Sequence, residues 1–264
     1  QDEKEGERMA KYYFREKLEE GILYTKSGIL TAVISGTEYK AVFPPGRSPK
    51  HVERESIPCL ARKCSNTEMK CMVEAVSADS LELEKKDWTC INPLLLKNAA
   101  EFFLGSYSMP EITRCYPNYK KDQVIASQCI DFIASDGAMI DLKVLKTGVE
   151  TAYRRKQNGS YSILTPGFIM GYVNILNIPQ YAENRMILLF VQQREPVSQN
   201  PVPAMNGKTY ESVRTGCAYG LEFWNAVIQA DAEGISLCSY KCITDDILSG
   251  AGLYSTGCTI QPFP

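Results

Sequence analysis

From Gly21 onward the chain alternates short β-branched and apolar runs with turn-forming clusters. Ile22 to Tyr24, Leu30 to Ile34 and Tyr39 to Phe43 are separated by "KSG" and "SGT", which predicts three closely spaced strands. The pattern continues through "SIPCLARKC", "MKCMVEAVS" and "SLELEKKDWTCI", predicting a small β-barrel over residues 21–91. Residues 1–20 are charged, with apolar positions only in "MAKYYF" and at Leu18, and read as a frayed or helical N-terminal arm.

Asn92-Pro93 opens a segment of different period. "PLLLKNAAEFFLG" has Pro at the first helical position, apolar residues at Leu95, Ala99, Phe102 and Phe103, and Gly105 at its end, predicting a helix over 93–104 that carries Glu101. A loop with Pro110 and Pro117 follows. Strands are then expected over Gln123 to Ile133 and Ala138 to Leu145, and "NGSYSIL" reads as a turn into another. After a mixed run from Phe168 to Leu176, the continuous apolar run in "RMILLFVQQRE" suits a central strand. A helix over Leu221 to Ala232, stopped by Gly234, and a last strand in "ISLCSYKCI" complete an α/β or α+β pattern over 92–248, with 249–264 as a C-terminal tail.

Composition fits this reading: 44% of residues are hydrophobic and 23% charged, as in an ordinary folded protein. No apolar run approaches the roughly 18 residues of a membrane span, so no membrane partner is expected. The ten cysteines form no C-x-x-C pair and His51 is the only histidine. The cysteines are therefore expected to be small buried hydrophobes in a reducing, cytoplasmic or nuclear compartment, and no zinc is expected. A single histidine also leaves almost nothing for Ser-His-Asp, Cys-His or multi-histidine metal chemistry, so any catalysis falls to carboxylates and lysine. Net charge is −2, which provides no global basic field; basic residues cluster locally, as in Lys50 with Arg54 and in Arg154-Arg155-Lys156.

The stretch "IDFIASDGAMIDLKV", residues 130–144, holds the sharpest chemical signal. Asp131 and Asp141 stand where strands prefer apolar residues. A two-residue loop at Asp136-Gly137 puts them on opposite faces. A three-residue loop, Ser135-Asp136-Gly137, pairs Ala134 with Ala138 and brings the two aspartates opposite each other. In the second register the like charges need a cation or a shared proton, and Lys143 shares their face; two carboxylates and an ammonium there suit Mg²⁺ and water activation. The same residues also suit an ordinary hairpin with Asp and Lys on its exposed face.

Asp131 followed by Asp141-Leu142-Lys143 resembles the D…(D/E)-x-K signature of the PD-(D/E)xK nuclease superfamily. The order of "VFPPGRS", "WTCINPLLLKNAAEFFL", "CIDF", "IDLKV", "LLFVQQRE" and "GISLCSYKCI" resembles the sugar fermentation stimulation protein A (SfsA) family over about residues 20–245, with departures at Pro45 and Cys129. The resemblance implies an N-terminal OB-like β-barrel followed by a nuclease-like α/β domain, with DNA or RNA as ligand. It implies Asp131 and Asp141 as ligands of Mg²⁺ or Mn²⁺, Lys143 and Glu101 as catalytic groups and Gln193 as a phosphate- or water-contacting one. Arg47, Lys50, Arg154 and Arg155 are the expected nucleic-acid contacts. The activity so implied is metal-dependent phosphodiester hydrolysis; the alternative is a non-catalytic nucleic-acid-binding regulator or interaction scaffold on the same fold.

Overall fold

The computed structural model describes residues 9–44, 56–65, 69–77, 79–108, 111–115, 130–145, 166–177, 183, 185–193, 221–245, 247–249 and 252–262. Among these residues one large sheet dominates, flanked by a few helices, in a mixed α+β fold.

The first strand, β1 (Ala10–Lys26), runs for 17 residues. Residues 10–20 are thus extended backbone, where the sequence suggested a frayed or helical arm. Their apolar side chains alternate, Tyr12 and Phe14 half-buried between exposed Lys11, Tyr13 and Arg15, and that period of two is satisfied by pairing with a distant strand. The hairpins to β2 (Ile29–Ile34) and β3 (Thr37–Val42) turn on Ser27-Gly28 and Ser35-Gly36, all four with positive φ, as two-residue turns matched to strand twist require. β4 (Ile57–Lys63), β5 (Lys70–Val76) and the short β6 (Thr89–Cys90) follow. Pairings run β1 to β2, β2 to β3, β3 to β5 in parallel, β5 to β4 and β4 back to β1. Leu23, Ile34, Cys59, Cys71 and Val73 are buried together between these strands. Residues 79–88 lack the expected strand pattern. Polar anchors hold them instead: Asp79 accepts from the Asp87 amide at 2.6 Å, and the buried Lys86 meets Glu20 at 2.6 Å.

Asn92 caps helix α1 (Pro93–Phe103), its side chain accepting from the Leu94 amide at 2.9 Å, and the helix continues into a π-helical turn over Leu104–Ser108. Strand β7 (Ile112–Arg114), in a segment expected to be loop, pairs with β8 (Phe132–Ala134), which leads into β9 (Met139–Leu145). Helix α2 (Pro166–Leu176), strand β10 (Met186–Gln192), helix α3 (Leu221–Ala232) and strands β11 (Ser236–Thr244), β12 (Ile247–Ser249) and β13 (Gly252–Pro262) complete the fold. β9, β10 and β11 are parallel, with β10 central as its apolar run predicts. The alternation of β10 sorts the layers. Met186, Leu188 and Phe190 pack with Tyr172 of α2 and Val227 of α3, while Ile187, Leu189 and Val191 pack with Ala99 and Phe103 of α1. The strands expected over 123–129 and 158–164 lie outside the described residues.

Residues 252–262, read from sequence as tail, form the strand that joins the halves. β13 pairs with β1 on one side and with β11 and β12 on the other. Its Leu253, Ser255, Gly257 and Cys258 are buried and Tyr254, Thr256 and Thr259 half-buried, with strands along both edges, so the segment is not free to be solvated as a tail. At Gly257 the β1 backbone comes so close that a Cβ would collide with the Tyr12 carbonyl oxygen. Gly257→Ala is expected to lower unfolding free energy by about 1–3 kcal/mol, measured by urea denaturation, because the obstacle is main chain that cannot rotate away.

Candidate functional site

The hairpin at residues 130–144 adopts the three-residue register. Phe132 pairs with Ile140 and Ile133 with Met139, the Ala134 amide donates to Ala138 O at 2.9 Å, and Gly137 takes φ of 83°. The ladder ends at Asp131. Its amide donates to Ile140 O at 3.0 Å, its carbonyl accepts from the Cys115 amide at 2.9 Å, and its side-chain Oδ2 accepts from the Leu142 amide at 2.9 Å. One carboxylate oxygen thus replaces a ladder carbonyl, which fixes the side chain beside β9 and leaves Oδ1 for other partners.

Asp141, on β9, is fully buried. Its Oδ2 receives the Lys143 ammonium at 2.6 Å and a short hydrogen bond from the Tyr172 hydroxyl of α2, while Oδ1 has no hydrogen-bond partner in the structure. Burial pushes its carboxyl up to about 7. Lys143 and the Tyr172 hydroxyl oppose that rise and the nearby Asp131 adds to it; desolvation outweighs the ion pair. Asp131 Oδ1 receives Lys97 Nζ of α1 at 2.5 Å. Two carboxylates and two lysines therefore balance in charge, assembled from α1, the end of β8, and β9.

The other expected residues fall differently. Glu101 lies one turn beyond Lys97 on α1, and its carboxylate is bound by Arg114 of β7, which also donates to Asn98 Oδ1 at 2.9 Å. Among the described residues no group of three or more His, Cys, Asp or Glu side chains converges as a metal cage. Gln193, just after β10, clasps the β6 backbone: its Oε1 accepts from the Cys90 amide at 2.6 Å and its Nε2 donates to Cys90 O at 3.4 Å. Arg47, Lys50, Arg154 and Arg155 lie outside the described residues. Lys97 and Tyr172 were missed by the sequence reading. Lys97 had a usable signal, its position four residues before Glu101 on the same helix face. Tyr172 had none, because its partner is 31 residues away.

No family model matches the chain, and no curated protein does. Among solved structures, Pyrococcus furiosus SfsA, in complex with Ca²⁺, superposes with a TM-score of 0.52 over 94% of this chain and 96% of that one, at 11% sequence identity. The chain has an SfsA-like fold. At that identity the likeness is one of fold, and the chemistry of the centre rests on its own residues.

Two measurements probe this centre. Asp141 has a folded pKa above its unfolded value, so its contribution to stability is full below about pH 4 and is lost as pH rises through about 7. Wild type should lose about 1.4 kcal/mol per pH unit across that window relative to Asp141→Asn, in urea titrations at stepped pH. Gln193→Ala should cost about 1–3 kcal/mol of stability by stranding the Cys90 amide; a loss of activity at unchanged stability would instead give Gln193 a direct chemical role.

Proposed function

We propose that this protein is a Mg²⁺- or Mn²⁺-dependent phosphodiesterase of nuclease-like fold acting on DNA or RNA. The observation that carries the reading is Asp141: a fully buried carboxylate on the β8–β9 hairpin, beside Asp131 and Lys143, with Oδ1 left without a partner. An isolated buried acceptor of this kind is costly unless something fills it. Mg²⁺ is commonly held by one or two carboxylates, with water and substrate phosphate completing its shell, so Asp131 and Asp141 fit it as ligands. The Ca²⁺ in the P. furiosus SfsA structure, a hard cation that prefers oxygen, supports the search for such a site here. When bound, the metal would supply Lewis acidity for the phosphate and a more acidic water.

The chain's own residues would do the remainder. Lys143 balances Asp141, and its ammonium would offset charge gathering on a phosphate in transfer. Tyr172 holds Asp141 from behind through its hydroxyl. Lys97, already on Asp131, provides a second cation. The cyclic pairing of β1 to β5 supports reading the N-terminal strands as an OB-like barrel, an architecture that commonly tracks single strands.

A second reading is favoured by one observation: each carboxylate already has a lysine, and Glu101 already has an arginine. Internal cations would then replace the metal, leaving a non-catalytic nucleic-acid-binding protein. Cleavage of single- and double-stranded DNA and RNA with and without Mg²⁺ or Mn²⁺ separates the two. The first reading expects metal-dependent cleavage that falls at least about 100-fold in Asp131→Asn and Lys143→Ala, the scale of losing an electrostatic or proton-transfer group. Salt-sensitive binding without cleavage, equal in wild type and Asp131→Asn, establishes the second.

A further inference from the structure

A cavity of about 230 Å³ opens between β1, the ends of β4 and β5, and α1. Helix α1 contributes to both places: Asn98 lines the cavity while the preceding residue, Lys97, holds Asp131. One wall is aromatic: Tyr12 and Phe14 meet edge-to-face with ring centroids 6.1 Å apart, and Phe102 supports Tyr12 at 5.6 Å. Leu94, 58% exposed, and Leu95 add an apolar lining from α1.

The polar groups are largely spoken for. Buried Glu74 accepts from Arg62 Nε at 2.7 Å and from Asn92 Nδ2 at 2.5 Å, and Arg62 also reaches Glu16 at 3.6 Å. Tyr12 hydrogen-bonds with Asn98, whose Oδ1 is taken by Arg114. Arg15, at the exposed rim, is the lining charge with no carboxylate partner among the described residues. The cavity therefore offers two aromatic rings, an apolar lip and one cation, with few free edge-reading groups. Its volume lies below the roughly 300–1,000 Å³ of sites that enclose drug-sized ligands and suits a single heteroaromatic ring system.

We propose that this cavity is a nucleotide subsite, taking one base of a single-stranded DNA or RNA by stacking, with Arg15 on its phosphate and little preference among bases. The proposal rests on the nucleic-acid reading of the acidic centre and extends it to a second nucleotide of the same ligand. Sequence tolerance follows from the chemistry: every base has a π-face, whereas edge recognition needs donors and acceptors that are here already paired.

Fluorescence anisotropy with labelled oligothymidylate and oligouridylate tests it. Arg15→Ala and Leu94→Glu, both at exposed positions, should each weaken binding about tenfold, while Leu83→Glu, a comparable change at an exposed residue outside the cavity, should bind as wild type. An oligomer carrying 4-thiouridine should photocrosslink to Tyr12 or Phe14, located by mass spectrometry. Unchanged affinity in both Arg15→Ala and Leu94→Glu, or crosslinks confined to other segments, overturns the subsite. Cleavage of duplex substrates by a protein that binds neither oligomer overturns it while leaving the phosphodiesterase reading intact; absence of both binding and cleavage removes the two together.

Discussion

The pairing of β1 with β13 is the constraint on which the rest of the structure depends. Strands from the two ends of the described chain lie side by side, and their contact joins a cyclic group of N-terminal strands and a mixed group built round the parallel β9, β10 and β11 into one continuous sheet. The join is close enough that position 257 tolerates only glycine without moving the main chain. It also gives β1 two different neighbourhoods along its length. It borders β13 at Ala10 to Tyr13 and again at Leu18 and Glu19, β4 from Glu19 to Leu23, and β2 from Gly21 to Lys26. The irregularity between Tyr13 and Leu18 interrupts the ladder to β13, and there the strand presents Phe14, Arg15 and Glu16 to the cavity.

Helix α1 couples this seam to the acidic centre. One side of it packs Ala99, Ala100 and Phe103 onto the sheet. Leu94, Leu95 and Asn98 face the cavity, and Lys97 reaches Asp131. Asn98, which lines the cavity, is tied through Arg114 to Glu101 on the same helix. Buried charge dominates the centre itself. Asp141 is held by a lysine and a tyrosine, yet desolvation still raises its affinity for a proton. Such a group is poised to take up a proton as well as to pair with an ammonium.

How much of this was legible depended on range. The Ser-Gly turns at 27–28 and 35–36, the Asn92-Pro93 start of α1, the central strand β10 and the α3 helix ending at Gly234 are local, and the sequence reading located each. The hairpin left two registers open, because both satisfy its apolar pattern; Gly137 in the left-handed region accompanies the three-residue loop. The reading erred where the deciding partner was far away. Residues 10–20 look like a solvated arm until β13 is beside them, and residues 252–262 look like a tail until β1 and β11 flank them. β7 carries too few residues to signal a strand and exists through its ladder to β8.

The candidate centre divides in the same way. Asp131, Asp141 and Lys143 could be singled out from sequence because an aspartate in a strand violates the local rule for apolar positions, and spacing along one hairpin relates all three. Their neutralisation could not be read. Lys97 comes from a helix, Tyr172 from the opposite layer, and Arg114 takes Glu101 away from the pair. Sequence by itself determined the short-range elements and the chemistry-bearing residues, since turn geometry and side-chain period act over a few residues. Tertiary structure decided which charges meet, which remain buried, and that both chain ends close one sheet, since burial and ion pairing depend on packing between segments that no local pattern relates.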